Sequence, residues 1–217
     1  METIHHDQAS HRIIAEHGPL RLVVEPEAGW WRETVEGAAT PLRPLPEPVP
    51  PTEELPRLLR AWLGAILFGA HRRPGLLITG EHAAEWADAI ACDFGSLPVA
   101  LGSRDELLMR CVHEQIPVFD GCRRLRPELA ATLEDVLAGN PIRRARYRTG
   151  DNGQLVQRPV VLACDDAREP VGMVPELRRW LFRWEPTDAP SHRPGELLGF
   201  ALDAAASVLA HAPAAAA

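Results

Sequence analysis

The stretch RPGLLITGEHAAEWADAI, residues 73–90, holds the residue types and spacing that bear most directly on chemistry. An apolar run ends at Thr79-Gly80, and Trp86, Ile90 and Phe94 then recur on one helical face. A glycine between a strand and a helix is where backbone amides and the positive helix end can hold a phosphate. A phosphate loop has the form GxxxxGK[ST], in which the lysine reaches the terminal oxygens and the hydroxyl holds magnesium. Counted from Gly80, Glu85 stands at the second glycine, Trp86 at the lysine and Ala87 at the hydroxyl. Glu81 and Glu85 would also repel a triphosphate, each charge pair at about 5 Å costing about 3 kcal/mol at an effective dielectric of about 20. ATP and magnesium binding are therefore expected to be lost. The same residues also read as an ordinary strand–helix turn with acids at the positive helix end.

Elsewhere the chemistry is sparse. Asp120 closes the apolar run IPVFD, where an acid serves either as a metal ligand or as a turn residue. Cys92, Cys111, Cys122 and Cys164 contain no CxxC pair, so buried free thiols are expected rather than zinc or disulfides. His82 and His113 stand singly, and no Ser-His-Asp or Cys-His signature is present. All 23 residues of the Lys+Arg count are arginine, which excludes any reaction that needs a lysine of this chain. The net charge of -7 argues against a general nucleic-acid coat, although it leaves room for a local basic face. No apolar run approaches a membrane span and no signal peptide is evident, so a cytoplasmic protein without membrane contact is expected.

Helices and strands that could position these residues follow from patterning. Residues 1–11 are expected to be disordered. RIIAEHG, LRLVVEP and GWWRETVEG, within 12–40, read as a small antiparallel β element. Trp30 and Trp31 cannot both face inward on a strand, which marks a candidate interaction surface. PLRPLPEPVPP, residues 41–51, is an extended linker or a strap laid over a surface, because six prolines exclude helix and central strand. Thr52 can cap a helix bearing Leu55, Leu58, Leu59, Trp62, Leu63, Ile66 and Leu67, ended by Gly69. Residues 76–79 form a buried strand, 81–94 a helix, and Ser103 to Glu106 a capping box opening a helix to about Glu114. Strand 116–120 follows, then a helix between Pro127 and Gly139. A hairpin around Asp151-Asn152-Gly153 leads into a third apolar strand, and 195–211 is an amphipathic helix. Alternating strands and helices predict an α/β domain over 52–212 with a mainly parallel sheet, and 213–217 is a tail.

In order and spacing, several segments resemble P-loop ATPases of the helicase-like kind, the AAA+ and superfamily 3-related ATPases of phages and integrative mobile elements. RPGLLITGEHAAEWADAI is similar to their strand, Walker A loop and helix. SRDELLMRCVHEQIPVFDGCRRL resembles the connecting helix and Walker B strand, with Asp120 as the acid. LRPELAATLEDVLAGNPIRRARYRTGDNGQLVQRPVVLAC resembles the next helix, hairpin and sensor 1 strand. VPELRRWLFRWEP resembles the segment carrying a late arginine. The resemblance implies a three-layer P-loop fold whose Walker A loop, Gly80 with Glu85, Trp86 and Ala87, is degenerate. It further implies Gly121 after the Walker B acid, Ala163 at the sensor 1 asparagine and Trp180 at the late arginine.

These positions imply a catalytically inactive ATPase-like module of a replication system, acting by binding to a protein partner or nucleic acid, as a monomer or small oligomer. Arg143, Arg144, Arg146 and Arg148, with Tyr147 among them, form a strip suited to single-stranded nucleic acid. The strip equally fits a charge-protected edge strand. Trp180 and Trp184 read as core packing or as a docking patch.

Overall fold

The computed structural model describes residues 2–7, 12–17, 20–25, 30–32, 55–68, 74–142, 154–155 and 157–201. Four strands form an antiparallel meander: β1 (Glu2–Asp7), β2 (Arg12–His17), β3 (Leu20–Glu25) and β4 (Trp30–Arg32). The last three fall within the runs RIIAEHG, LRLVVEP and GWWRETVEG. β1 falls where disorder was expected, and it pairs with β2 from Glu2↔His17 to Asp7↔Arg12. Ile4 is its one aliphatic residue, so backbone pairing rather than apolar alternation defines it. The side chains of Trp30 and Trp31 lie outside the described residues.

Helix α1 (Arg57–Phe68) begins later than the Thr52 cap would place it. Pro56 explains the difference: inside a helix begun at Glu53 it would have to donate an amide hydrogen it lacks. At the boundary it only accepts, its carbonyl receiving the Arg60 N–H at 3.0 Å. Leu59, Trp62 and Leu63 of α1 are fully buried, each burial stabilising by about 1.5–3 kcal/mol.

Chain order then gives β5 (Gly75–Thr79), α2 (Ala83–Asp93), β6 (Val99–Ala100), α3 (Arg104–His113), β7 (Val118–Asp120) and α4 (Pro127–Ala138). β8 (Pro141–Ile142), β9 (Gln154–Leu155), β10 (Val161–Cys164), the short α5 (Pro175–Arg178) and β11 (Leu181–Trp184) follow, and residues 196–201 begin a last helix. The Ser103 hydroxyl accepts the Glu106 N–H at the start of α3, and Gly139 ends α4 in the left-handed conformation, both at the expected positions. β8 and β9 pair antiparallel, Ile142 opposite Gln154, a register that does not turn at Asp151-Asn152-Gly153; that expected turn lies outside the described residues.

Five strands form one all-parallel sheet in the order β11-β5-β10-β7-β6. Alternate residues of β5 enter different cores. Leu76 and Ile78 join α1, α2 and the last helix, whereas Leu77 joins residues of α3, α4 and α5. Two sheet members, β6 and β11, were not foreseen as strands. β6 is too short to show a period, and the arginines and tryptophans around β11 fit helix and strand spacing alike.

The last helix is anchored by Asp93, whose side chain is fully buried at the end of α2. Its carboxylate accepts the Gly195 and Leu197 N–H groups at 2.8 Å each and the Leu198 N–H at 3.3 Å. Burial raises the Asp93 pKa, and the three amide donors oppose that rise without cancelling it. Asp93→Ala should cost about 2–3 kcal/mol, since it leaves a helix start without its cap and buries unpaired donors. Urea unfolding monitored by circular dichroism reads the loss; a midpoint equal to that of the parent would show that the cap stabilises nothing.

Thiol labelling gives a second check on the core. Cys92 is half-buried, while Cys111, Cys122 and Cys164 are buried, and burial pushes the Cys111 and Cys122 thiols up to about 12. In native protein at pH 8 an aromatic disulfide reagent should therefore modify Cys92 well before the others. Equal rates at all four thiols would contradict this packing.

Candidate functional site

The carboxyl ends of the parallel strands meet where the connections diverge. The chain leaving β5 crosses towards β6, while the chain leaving β10 crosses back over β5 to β11. Such a switch point is where open parallel sheets form a ligand crevice. β10 lies between β5 and β7, with Ala163 opposite Ile78 and Leu162 opposite Phe119.

Only residues 80–82 separate β5 from α2. Gly80, at φ +100°, makes the turn, and its N–H points at the Cys164 and Asp166 carbonyls at 3.0 and 3.1 Å. Its carbonyl accepts the Ala83 N–H at 3.1 Å, and the His82 carbonyl accepts the Trp86 N–H at 3.1 Å. Glu85, Trp86 and Ala87 are therefore the third, fourth and fifth residues of α2 rather than parts of a loop. His82 has no side-chain capping bond, and its Nδ1 lies 2.9 Å from Glu85 Oε2.

Trp86 is buried by the segment that leaves β11. Its indole meets Trp184 edge-on at 4.6 Å between ring centroids and His192 at 5.0 Å. Its Nε1–H donates to the Asp188 carbonyl at 2.8 Å. Glu185 reaches over the turn, so a β-carbon at Gly80 would stand 3.3 Å from Glu185 Cγ. Residues 185–195 thus cross the start of α2 and continue to the Asp93 cap at its other end.

The remaining sequence-predicted positions divide sharply. Asp120 is half-buried at the end of β7, and its carboxylate accepts the N–H of the next residue, Gly121, at 2.6 Å. Gly121 and Ala163 bring no polar side chain beside it. Arg178 is bound to Glu169 at 2.7 Å, and Arg179 to Glu134 at 2.9 Å while also lying over the Trp180 ring. Trp184 is buried in the α1–α2 core and Trp180 packs partly buried on the opposite core, which favours core packing over a docking patch. Arg143, Arg144, Arg146, Tyr147 and Arg148 lie outside the described residues. Among the described residues no group of three or more His, Cys, Asp or Glu side chains is arranged to hold a metal ion.

Glu185, Asp188 and His192 were not singled out by sequence. They lie in EPTDAPSHRPGE, which has no period and whose contacts span about a hundred residues of chain. Thr79 was also missed. It is fully buried on the Leu77 side of β5, and its hydroxyl makes no hydrogen bond within the described structure. Thr79→Val keeps the shape and removes the unmatched hydroxyl, so it should stabilise the fold by about 1 kcal/mol. A lower unfolding midpoint for the variant would mean that the hydroxyl has a partner after all. No family model matches the chain, and no curated protein or solved structure is significantly similar to it.

Proposed function

We propose that the chain is a catalytically inactive, P-loop-ATPase-like module, of the kind used in phage or mobile-element DNA replication, that acts by binding. The observation that carries this reading is the three-residue turn at 80–82. It stands at the switch point of an all-parallel sheet, where a nucleotide would otherwise sit, and leads straight into a helix. Three further features support it. The strands that resemble the Walker A, sensor 1 and Walker B strands, β5, β10 and β7, are adjacent in the sheet, as joint action on one nucleotide would require. Helical residues on both sheet faces fit a three-layer fold. Trp86 fills space beside the turn that phosphate groups would need.

This reading differs from a site that has merely lost its residue types. Hydrolysis requires a pocket of inward amides, a cation on the terminal phosphates and an oriented water. Here the turn's leading amide is committed to the carbonyls of Cys164, the last residue of β10, and Asp166 beyond it, and the helix begins before any phosphate could be encircled.

Calorimetric titration of ATP-magnesium should give binding weaker than about 1 mM, with no turnover above buffer and no change in Asp120→Ala. Restoring the motif residues together, Glu85→Gly, Trp86→Lys and Ala87→Thr, should not bring binding back, because those positions are helical. Micromolar binding by the parent chain with Asp120-dependent turnover would overturn the proposal. A second reading, a single-stranded nucleic-acid-binding accessory, rests on the Arg143–Arg148 strip, which lies in the chain between β8 and β9.

A further inference from the structure

Two segments on the flank of the sheet form one surface: residues 121–126, which leave β7, and 165–172, which leave β10. The Cys122 N–H donates to the Ala163 carbonyl at 2.8 Å. The Val171 N–H donates to Arg123 at 2.9 Å and the Leu125 N–H to Val171 at 2.8 Å, pairing Arg124 with Val171 in parallel. Arg123 adds a two-pronged ion pair to Asp165, with Nε to Oδ1 at 2.7 Å. Gly172 permits this approach: it sits at φ +93°, and a β-carbon there would lie 2.2 Å from the Leu125 carbonyl oxygen. Leu125 is buried, so the extended chain turns Arg124 and Arg126 outward.

Charge on this surface is unevenly matched. Asp165 holds Arg123, Glu169 holds Arg178 with Arg183 at 3.9 Å, Glu134 holds Arg179, and Asp166 accepts the Arg168 backbone N–H at 3.0 Å. The exposed side chains of Arg124, Arg126 and Arg168 make no hydrogen bond or ion pair in the described structure. Val171, paired with Arg124, is 68% exposed. In a chain with 30 acids against 23 arginines, three unpaired guanidiniums thus stand together on one surface, beside Asp166, whose carboxylate meets a backbone N–H.

We propose that the Arg124, Arg126, Arg168 and Val171 surface binds the phosphodiester backbone of a single-stranded nucleic acid. A guanidinium offers phosphate two parallel donors. Arg124 and Arg126 repeat at about 7 Å along a segment held by backbone bonds, suiting a polymer with one charge on every residue. Val171 adds an apolar contact for a base or sugar, which an acidic peptide would leave unused. The surface uses none of residues 143–148 and does not depend on whether the crevice at Gly80 takes a nucleotide.

Fluorescence anisotropy of a labelled thymidine oligomer of about 20 nucleotides, titrated with the full chain across a salt series, tests the assignment. Replacing Arg124, Arg126 and Arg168 by Ala together should weaken binding roughly 100-fold at about 0.1 M salt and lower the salt slope by about 2. Arg57→Ala with Arg193→Ala, a change of charge at exposed sites elsewhere, should leave affinity nearly unchanged. Because the three arginines hold nothing else in the described structure, the thermal midpoint of the triple variant should match that of the parent. The assignment falls if the parent chain does not bind, or if the triple variant binds as the control does. It also falls if a poly-glutamate peptide of equal charge competes as well as the oligomer. Loss only on replacing Arg143, Arg144, Arg146 and Arg148 would remove this surface while leaving the proposed function standing.

Discussion

Gly80 donates its one backbone hydrogen to two carbonyls at the end of β10, and much of the carboxyl edge of the sheet follows from that bond. It fixes the path of the chain as it leaves β5, so the turn must bend at once, which the positive φ of glycine permits. The helix then starts after three residues, and its fourth residue, Trp86, lies against β11 and the chain beyond it. A loop able to surround phosphates needs several residues with amides pointing inward; here the leading amide already has protein partners. Such a loop would need that backbone as well as a lysine and a hydroxyl, and residues 80–87 offer none of the three.

Asp93 is the counterpart at the other end of α2. Together Trp86 and Asp93 hold the segment after β11 along the length of that helix, through bonds between residues about a hundred apart in the chain. An ionised carboxylate in an apolar setting is costly, and three amide donors are what make it tolerable. The donors in turn belong to a helix start that would otherwise bury unmatched N–H groups. Each side of the exchange removes the other's penalty, so the pairing specifies one position for the last helix more strongly than apolar packing alone would.

Where a local rule acts alone, the sequence was legible. Pro127 and Gly139 bracket α4, Ser103 opens α3, and apolar runs mark β5, β7 and β10, because each signal needs only near neighbours. Pro56 shows a local rule outvoting another, its missing hydrogen displacing the helix start from the attractive Thr52-Glu53-Glu54 cap. β6 and β11 were illegible for the opposite reason: two residues carry no period, and LFRW becomes a strand because β5 offers it an open edge. At the candidate site, the residue types at 85–87 were readable and their placement was not. Counting along GxxxxGK[ST] assumes a loop, whereas the length of the turn is set by where Gly80 finds carbonyls at the end of β10 and beyond it. Glu185, Asp188 and Asp93 carry no signal short of the tertiary fold.

Charge divides the carboxyl edge into two unlike regions. Around the β5–α2 turn the exposed side chains include Glu81, Glu85, Asp88, Glu185 and Asp188, with His82 tied to Glu85. On the β7 and β10 side, the acids Asp165, Glu169 and Glu134 are each engaged by an arginine, Asp166 meets a backbone N–H, and Arg124, Arg126 and Arg168 are left over. At an effective dielectric of about 20, one unit charge at about 8 Å contributes about 2 kcal/mol, and salt screens it beyond roughly that distance. On the proposed reading, an anion approaching the edge is repelled from the β5–α2 turn and drawn towards the unpaired arginines of the flank. Sheet topology and surface charge thus point an anionic ligand to different places.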